Sequence, residues 1–236
     1  MTKGGQLWDY TYASGNASRL MGVTTLSLSV DSQAGYDTWG NMRKYTLQGI
    51  AYELNFNAEN RLASVKVGAA QPTVFAYDAD GQRVQTTYPD GTIIYTPFPD
   101  YEVEDPPGSG ANTVRTTYRL AGQIVAVQTK VGTAAGAFYY TYADHLGNIT
   151  AWGDGAGAYL LSSIARYDPF GNYRTQPPAT FNPDISDYGF TGHRMNNTTV
   201  NNLGLIYMNA RYYLPEVGRF ISPITKAPHT RGLFVT

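Results

Sequence analysis

The chain has 236 residues, with 17 basic and 18 acidic side chains and a formal net charge of -1, which gives no bulk attraction to nucleic acid or to an anionic membrane. There is no cysteine, which excludes disulfides and thiol chemistry, and no apolar run near the roughly 20 residues of a membrane-spanning helix. Only 15% of residues are charged, whereas 20 Tyr stand beside 9 Phe, 3 Trp, 25 Gly and 13 Pro, a composition of short half-buried strands and tight turns rather than helices.

In chain order, the polar start Met1–Gln6 lacks the apolar stretch of a secretory signal, so either the chain is not exported by that route or, the favoured reading, it is one piece of a longer polypeptide. Strands are expected at Leu26–Val30, Arg61–Val67, Thr117–Leu120, Gln123–Val127 and Ala137–Tyr142, where apolar residues recur at period two or β-formers cluster. The acidic and then Pro/Gly-rich segment Asp100–Asn112 reads as an exposed loop, as does Thr175 to about Asp187. Asn196–Leu203 is the one fair helix candidate, and its run Thr198-Thr199-Val200-Asn201 makes it a poor one.

A short unit recurs along this path. It is an aromatic residue, Asp or Asn, two variable residues, then Gly or Asn, often followed by a basic side chain. Copies begin at Tyr36-Asp37, Phe56-Asn57 and Tyr77-Asp78, spaced by 20 and 21 residues, and reach their closing residues at Gly40, Asn60 and Gly81. A shorter version is Tyr88-Pro89-Asp90-Gly91, and later copies are Tyr142-Ala143-Asp144-His145-Leu146-Gly147 and Tyr167-Asp168-Pro169-Phe170-Gly171. The carboxylate of Asp37, Asp78, Asp144 or Asp168 can bond backbone amides two residues on, and Gly40, Gly81, Gly147 or Gly171 can take the positive φ that closes a hairpin. Tyr36, Tyr77, Tyr142 and Tyr167 are expected to pack the sheet, rings against neighbours and hydroxyls in water. One hairpin is marginal alone, so neighbouring copies must pair into a continuous sheet.

The repeated unit resembles the YD repeat of the Rhs, wall-associated and teneurin-like proteins. The ordered blocks Tyr167–Asn172, Gly189–Arg194, Gly204–Tyr213 and Gly218–Pro223 resemble the Rhs-repeat-associated core. The resemblance implies an all-β fold, an antiparallel hairpin-repeat sheet curling into a partial shell or barrel with a C-terminal core segment. Residues 1–158 would be hairpin repeats, 159–224 the core, and 225–236 a short disordered tail. It further implies a non-catalytic shell or scaffold fragment of the toxin-encapsulating or cell-surface type, secreted or surface-located within a longer protein. Upstream YD repeats, a companion chain or a toxin cargo would be its partners. Only 13 residues follow Pro223, too few for a folded toxin, so cargo is expected to be missing.

Some family members cut themselves with an aspartic-protease core. That chemistry needs two carboxylates sharing a proton. Where the family pattern places Asp-Pro, this chain has Leu214-Pro215, and Ser222-Pro223 runs into Ile224-Thr225 with no acid. Asp184 and Asp187 are the remaining catalytic candidates, and both read more simply as solvated turn residues. No metal or cofactor is expected, because His145, His193 and His229 sit 48 and 36 residues apart. Gly108-Ser109-Gly110 is no nucleophile elbow, and Gly153–Gly157 is a turn rather than a phosphate cradle.

The core anchors are read as Gly192, Arg211, Tyr212, Tyr213, Gly218, Arg219 and Phe220. Arg194, Arg211 and Arg219 would stack on rings and pair with a repeat Asp. The alternative reading is an adhesion module, in which exposed tyrosines stack on a surface glycan.

Overall fold

The computed structural model describes residues 2–3, 6–177, 185–195 and 202–223. The helix candidate at Asn196–Leu203 lies mostly outside these residues, as do Asp184, Ile224, Thr225, His229 and the rest of the tail.

The fold is all-β. Fifteen strands, from Tyr10–Ala13 to Tyr159–Leu160, form one sheet whose spatial order is the sequence order. The neighbours pair antiparallel throughout, for example Lys44–Leu47 with Ile50–Phe56 and Thr113–Leu120 with Gln123–Val131. No crossover is needed, because each strand returns through a tight turn beside its predecessor. The expected strands are present with shifted limits: Leu28–Val30, Leu62–Val67, Thr113–Leu120, Gln123–Val131 and Ala137–Ala143. The first is shorter than expected because Thr24–Leu26 forms a 3-10 turn that ends at Ser27 with φ 49°.

One expectation fails outright. Within the anticipated exposed loop, Tyr101–Asp105 is a strand paired on both sides, and only the segment after it turns back. The Pro and Gly residues mark a turn of limited length. The alternation Tyr101-Glu102-Val103-Glu104 is the strand signal that acidity disguised.

Period-two burial selects one face. Tyr45 and Leu47, Tyr52 and Leu54, and Thr73 and Phe75 point inward from successive strands. Against them packs the C-terminal segment, which carries the short sheet Ile206–Met208, Arg211–Leu214 and Arg219–Phe220. Leu205, Tyr212, Leu214, Val217 and Ile221 share one apolar cluster with Trp8, Leu20, Val23, Leu54 and Val65. Full burial of a Leu or Val side chain contributes roughly 1.5–3 kcal/mol, so this cluster fixes the segment on the early strands. A second cluster joins Ile124, Val127, Ile149 and Trp152 to Ile185.

These contacts set the curvature. Fifteen strands spaced by ~4.8 Å would make a flat sheet roughly 65 Å wide. Yet the C-terminal segment reaches both ends of it: Tyr10 Oη donates to the Val217 carbonyl and Ile149 N to the Gly189 carbonyl. It also meets the middle, where Arg83 Nη1 donates to Tyr212 Oη at 3.0 Å. The sheet therefore wraps around its own C-terminal segment. It does not close, since Tyr10–Ala13 and Tyr159–Leu160 form its two edges. That last strand falls inside the range 159–224 expected for the core. Behind it, Ser163 Oγ accepts from Trp152 N at 2.7 Å and Ala165 N donates to the Thr150 carbonyl at 2.9 Å, covering the edge of Ile149–Gly153.

Candidate functional site

The repeated corners come first, since they set where wall and core meet. Asp37 Oδ1 accepts from Trp39 N and Asn41 N, both at 2.9 Å, and Asp144 Oδ1 accepts from Leu146 N at 2.9 Å and Asn148 N at 3.0 Å. Asp78 Oδ1 accepts from Gln82 N at 2.8 Å. At Asp168 the backbone closes the same way, with Asp168 N donating to Asn172 O at 2.8 Å and Gly171 N to Asp168 O at 2.9 Å. Gly40, Gly81, Gly147 and Gly171 all have φ between 78° and 91°. Gly81 is needed for a second reason: a Cβ there would stand 1.6 Å from the Arg61 guanidinium, which grips the Gly81 carbonyl at 2.6 Å. Asn41 similarly donates to Asn60, so consecutive corners are tied edge to edge.

The tyrosines correct the sequence reading. Tyr36, Tyr77 and Tyr167 do not leave their hydroxyls in water; they donate to the carbonyls of Leu20, Leu62 and Ile149 at 2.8, 2.7 and 3.1 Å. Tyr142 behaves differently, lying 41% exposed with its ring edge-on to Tyr159. Its copy has Ala143 between the aromatic and the Asp, and one extra residue turns a strand side chain to the opposite face.

The arginines also differ from expectation. Arg211 stacks 3.6 Å over the Phe220 ring and donates to the Ser222 carbonyl at 3.5 Å, and Arg219 lies over Tyr12 and donates to the Ser18 carbonyl at 3.0 Å. Neither bond goes to a repeat Asp, because the Asp37, Asp78 and Asp144 carboxylates are occupied by their own turns. Among the other residues expected to anchor the core, Tyr212 is buried against Phe75 and Tyr207, and Tyr213 packs edge-on against Phe220. Gly192 and Gly218 hold left-handed turns at φ 68° and 66°.

The chemically dense part of the molecule lies between wall and core, and its carboxylates lie in segments read from sequence as loops. Glu102, on the strand Tyr101–Asp105, sits opposite Arg115 and bonds its Nη1 at 2.9 Å. Arg115 Nη2 also holds Glu104 at 2.7 Å. The other oxygen of Glu102 receives Arg194 Nη1, which simultaneously reaches Asp187 Oδ1 at 3.0 Å. Asp187 is thus no solvated turn residue but half of a bridge to Arg194, while the other catalytic candidate, Asp184, lies outside the described residues. Burial by itself would raise the Glu102 carboxyl, but Arg194 and Arg115 outweigh it and hold the group below the usual carboxylate range. Burial likewise opposes the Arg194 charge, and Glu102 and Asp187 more than restore it. The Arg194 guanidinium also lies 4.6 Å over the Tyr188 ring. Arg83 completes the group, 4.2 Å over the Tyr207 ring.

Beside this cluster a cavity of about 670 Å³ opens between the corners of the wall and the core segment. Arg83, Arg119, His145, Tyr188, His193 and Arg194 are among the residues lining it. Arg119 is paired with Asp100 at 2.7 Å. Burial, together with the charge of Arg119, keeps the His193 imidazole below its ordinary range against a hydrogen bond to Thr191 that acts the other way. No group of three or more His, Asp or Glu suited to a metal occurs among the described residues. No helix among them is long and apolar enough to cross a membrane, which leaves strand-based insertion unaddressed.

Residues 56–93, which hold the corners after Phe56, Tyr77 and Tyr88, match the family model described as RHS Repeat. That stretch is similar to an RHS repeat. The chain is 27% identical over 92% of its length to the tRNA3(Ser)-specific nuclease WapA of Bacillus spizizenii and, to the same degree, to the tRNA nuclease WapA of Bacillus subtilis. It spans about a tenth of either relative. Among solved structures, the fold resembles TcdB2-TccC3-TEV, with a TM-score of 0.66 and 18% identity over 91% of this chain and 12% of that one. The Photorhabdus luminescens Tc holotoxin pore gives a TM-score of 0.65 at 19% identity, covering 92% of this chain and 12% of the other.

Proposed function

We propose that this chain is a wall-and-plug segment of a larger RHS shell, a non-catalytic scaffold whose sheet curls around residues 185–195 and 202–223. The supporting observation is that this one segment contacts strands at both ends and in the middle of the fifteen-stranded sheet. The RHS repeat and the likeness to toxin assemblies favour a toxin-associated protein, secreted or at the cell surface, with upstream repeats or a companion chain adjoining this piece. A cavity of about 670 Å³ has room for roughly 20 waters, far below the volume of a folded domain, so any cargo would occupy a lumen to which this segment adds only a portion. The core role of residues 159–224 belongs to this same reading. A glycan-binding reading draws no support from these relatives.

The relatives named as nucleases provide the discriminating assay. The purified chain incubated with tRNA is expected to leave it intact, and trypsin is expected to cut at exposed turns before the bonds after Arg194 and Arg211. Cleavage of tRNA that follows the purified chain, or early cutting at those two arginines, overturns the wall-and-plug reading.

A further inference from the structure

The C-terminal segment meets the wall through two kinds of contact. Residues 203–221 are held by the apolar cluster with the early strands. Residues 187–195 instead form a small closed loop of their own: Met195 N donates to the Asp187 carbonyl at 2.9 Å, Tyr188 faces Arg194, and Gly189 N donates to the His193 carbonyl at 2.9 Å. The loop stays attached to the core, since Tyr207 N donates to the Arg194 carbonyl at 2.8 Å. Toward the wall it offers Tyr188, packed on the second apolar cluster and under Arg119, and beside that a set of polar contacts. Thr191 N donates to Asn148 Oδ1 at 2.7 Å, Ile149 N to the Gly189 carbonyl at 3.0 Å, and Arg194 binds Glu102. Glu102 and Arg194 have side chains only 8% and 11% exposed, so theirs is the buried ionic contact of this seam.

We propose that the Arg194–Glu102 bridge is a latch that holds the 187–195 loop against the wall and so fixes one side of the adjoining cavity. Asp187 serves it by keeping the guanidinium in place when the loop moves, and Arg115 serves it from the other side by keeping Glu102 ionised and oriented. Releasing the latch separates loop from wall while the apolar anchor stays packed. Tyr188, Thr191, Gly192, His193 and Arg194 all line the cavity, so the same movement widens it. The device rests on the wall-and-plug reading, which the experiment tests separately.

The test is hydrogen exchange on the full chain for the wild type, Arg194→Met and the milder Glu102→Gln. Removing one partner of a buried ion pair is expected to speed exchange across 187–195 on the order of a hundredfold, with residues 44–67 and 203–221 unchanged. Acylation of imidazoles gives a second readout, in which His193 labelling should rise relative to exposed His145. Unchanged exchange at 187–195 in both variants overturns the latch, as does loss of protection throughout the chain in both. Failure of the wall-and-plug reading looks different: wild-type residues 44–67 would already lack protection.

Discussion

A single hydroxyl distinguishes otherwise similar tyrosines. Tyr77 donates to the Leu62 carbonyl from a half-buried site, whereas Tyr142 lies on the outer face with its hydroxyl 3.3 Å from the Gly157 carbonyl. Tyr77→Phe is expected to cost about 1 kcal/mol in chemical denaturation, and Tyr142→Phe to stay within about 0.5 kcal/mol. The Asp-Gly spacing was readable from sequence because turn chemistry is local. The destination of each hydroxyl was not, because it depends on which face a strand register presents. Gly81→Ala combines a φ of 78° with a Cβ placed against the Arg61 guanidinium. It should destabilise by about 1–3 kcal/mol in the same measurement, more than Ala at Gly147, where a Cβ meets nothing within 4 Å.

Elements reveal a different limit. Hairpin repeats and their antiparallel pairing follow from aromatic, acid and glycine spacing. The strand Tyr101–Asp105 was hidden because Glu102 and Glu104 read as solvent-facing until Arg115 and Arg194 are brought opposite, one from the next strand and one from 92 residues away. Long-range partners leave no mark in a local window. Glu102 faces Arg115 from the adjacent strand and Arg194 from the core, with Arg83 also acting on it and Asp187 sharing Arg194. Its carboxyl is held below the value of about 4.3 expected in an unfolded chain. The resulting stabilisation is fully present above that value and is lost as pH falls through the lower folded one. A stability-pH profile should therefore drop on the acid side in the wild type, and Glu102→Gln should flatten that part of the profile.

At the scale of the molecule, each strand depends on its neighbours. Deleting Tyr77–Tyr95 removes the corner at Asp78, the strand Arg83–Thr87 and the first half of Ile93–Phe98, and should abolish soluble monomer, read by size-exclusion chromatography. A folded monomeric deletion product would contradict a continuous sheet. Alkaline behaviour should be cooperative too. Burial raises the hydroxyls of Tyr45, Tyr77, Tyr167 and Tyr212, and pushes Tyr173 up to about 12. Their contribution is intact below the unfolded value of about 10 and disappears as pH climbs through the raised folded values. Tyrosinate absorbance from these rings should then appear together with loss of the β signal rather than before it.

The turn that begins at Leu161 bears on how the sheet can be extended. Ser163 and Ala165 engage backbone groups of Ile149–Gly153 that an incoming strand would need, whereas among the described residues no strand covers the outer side of Tyr10–Ala13. A further strand on the Ile149–Gly153 side therefore finds the Thr150 and Trp152 backbone already engaged and has to dock on the short strand Tyr159–Leu160.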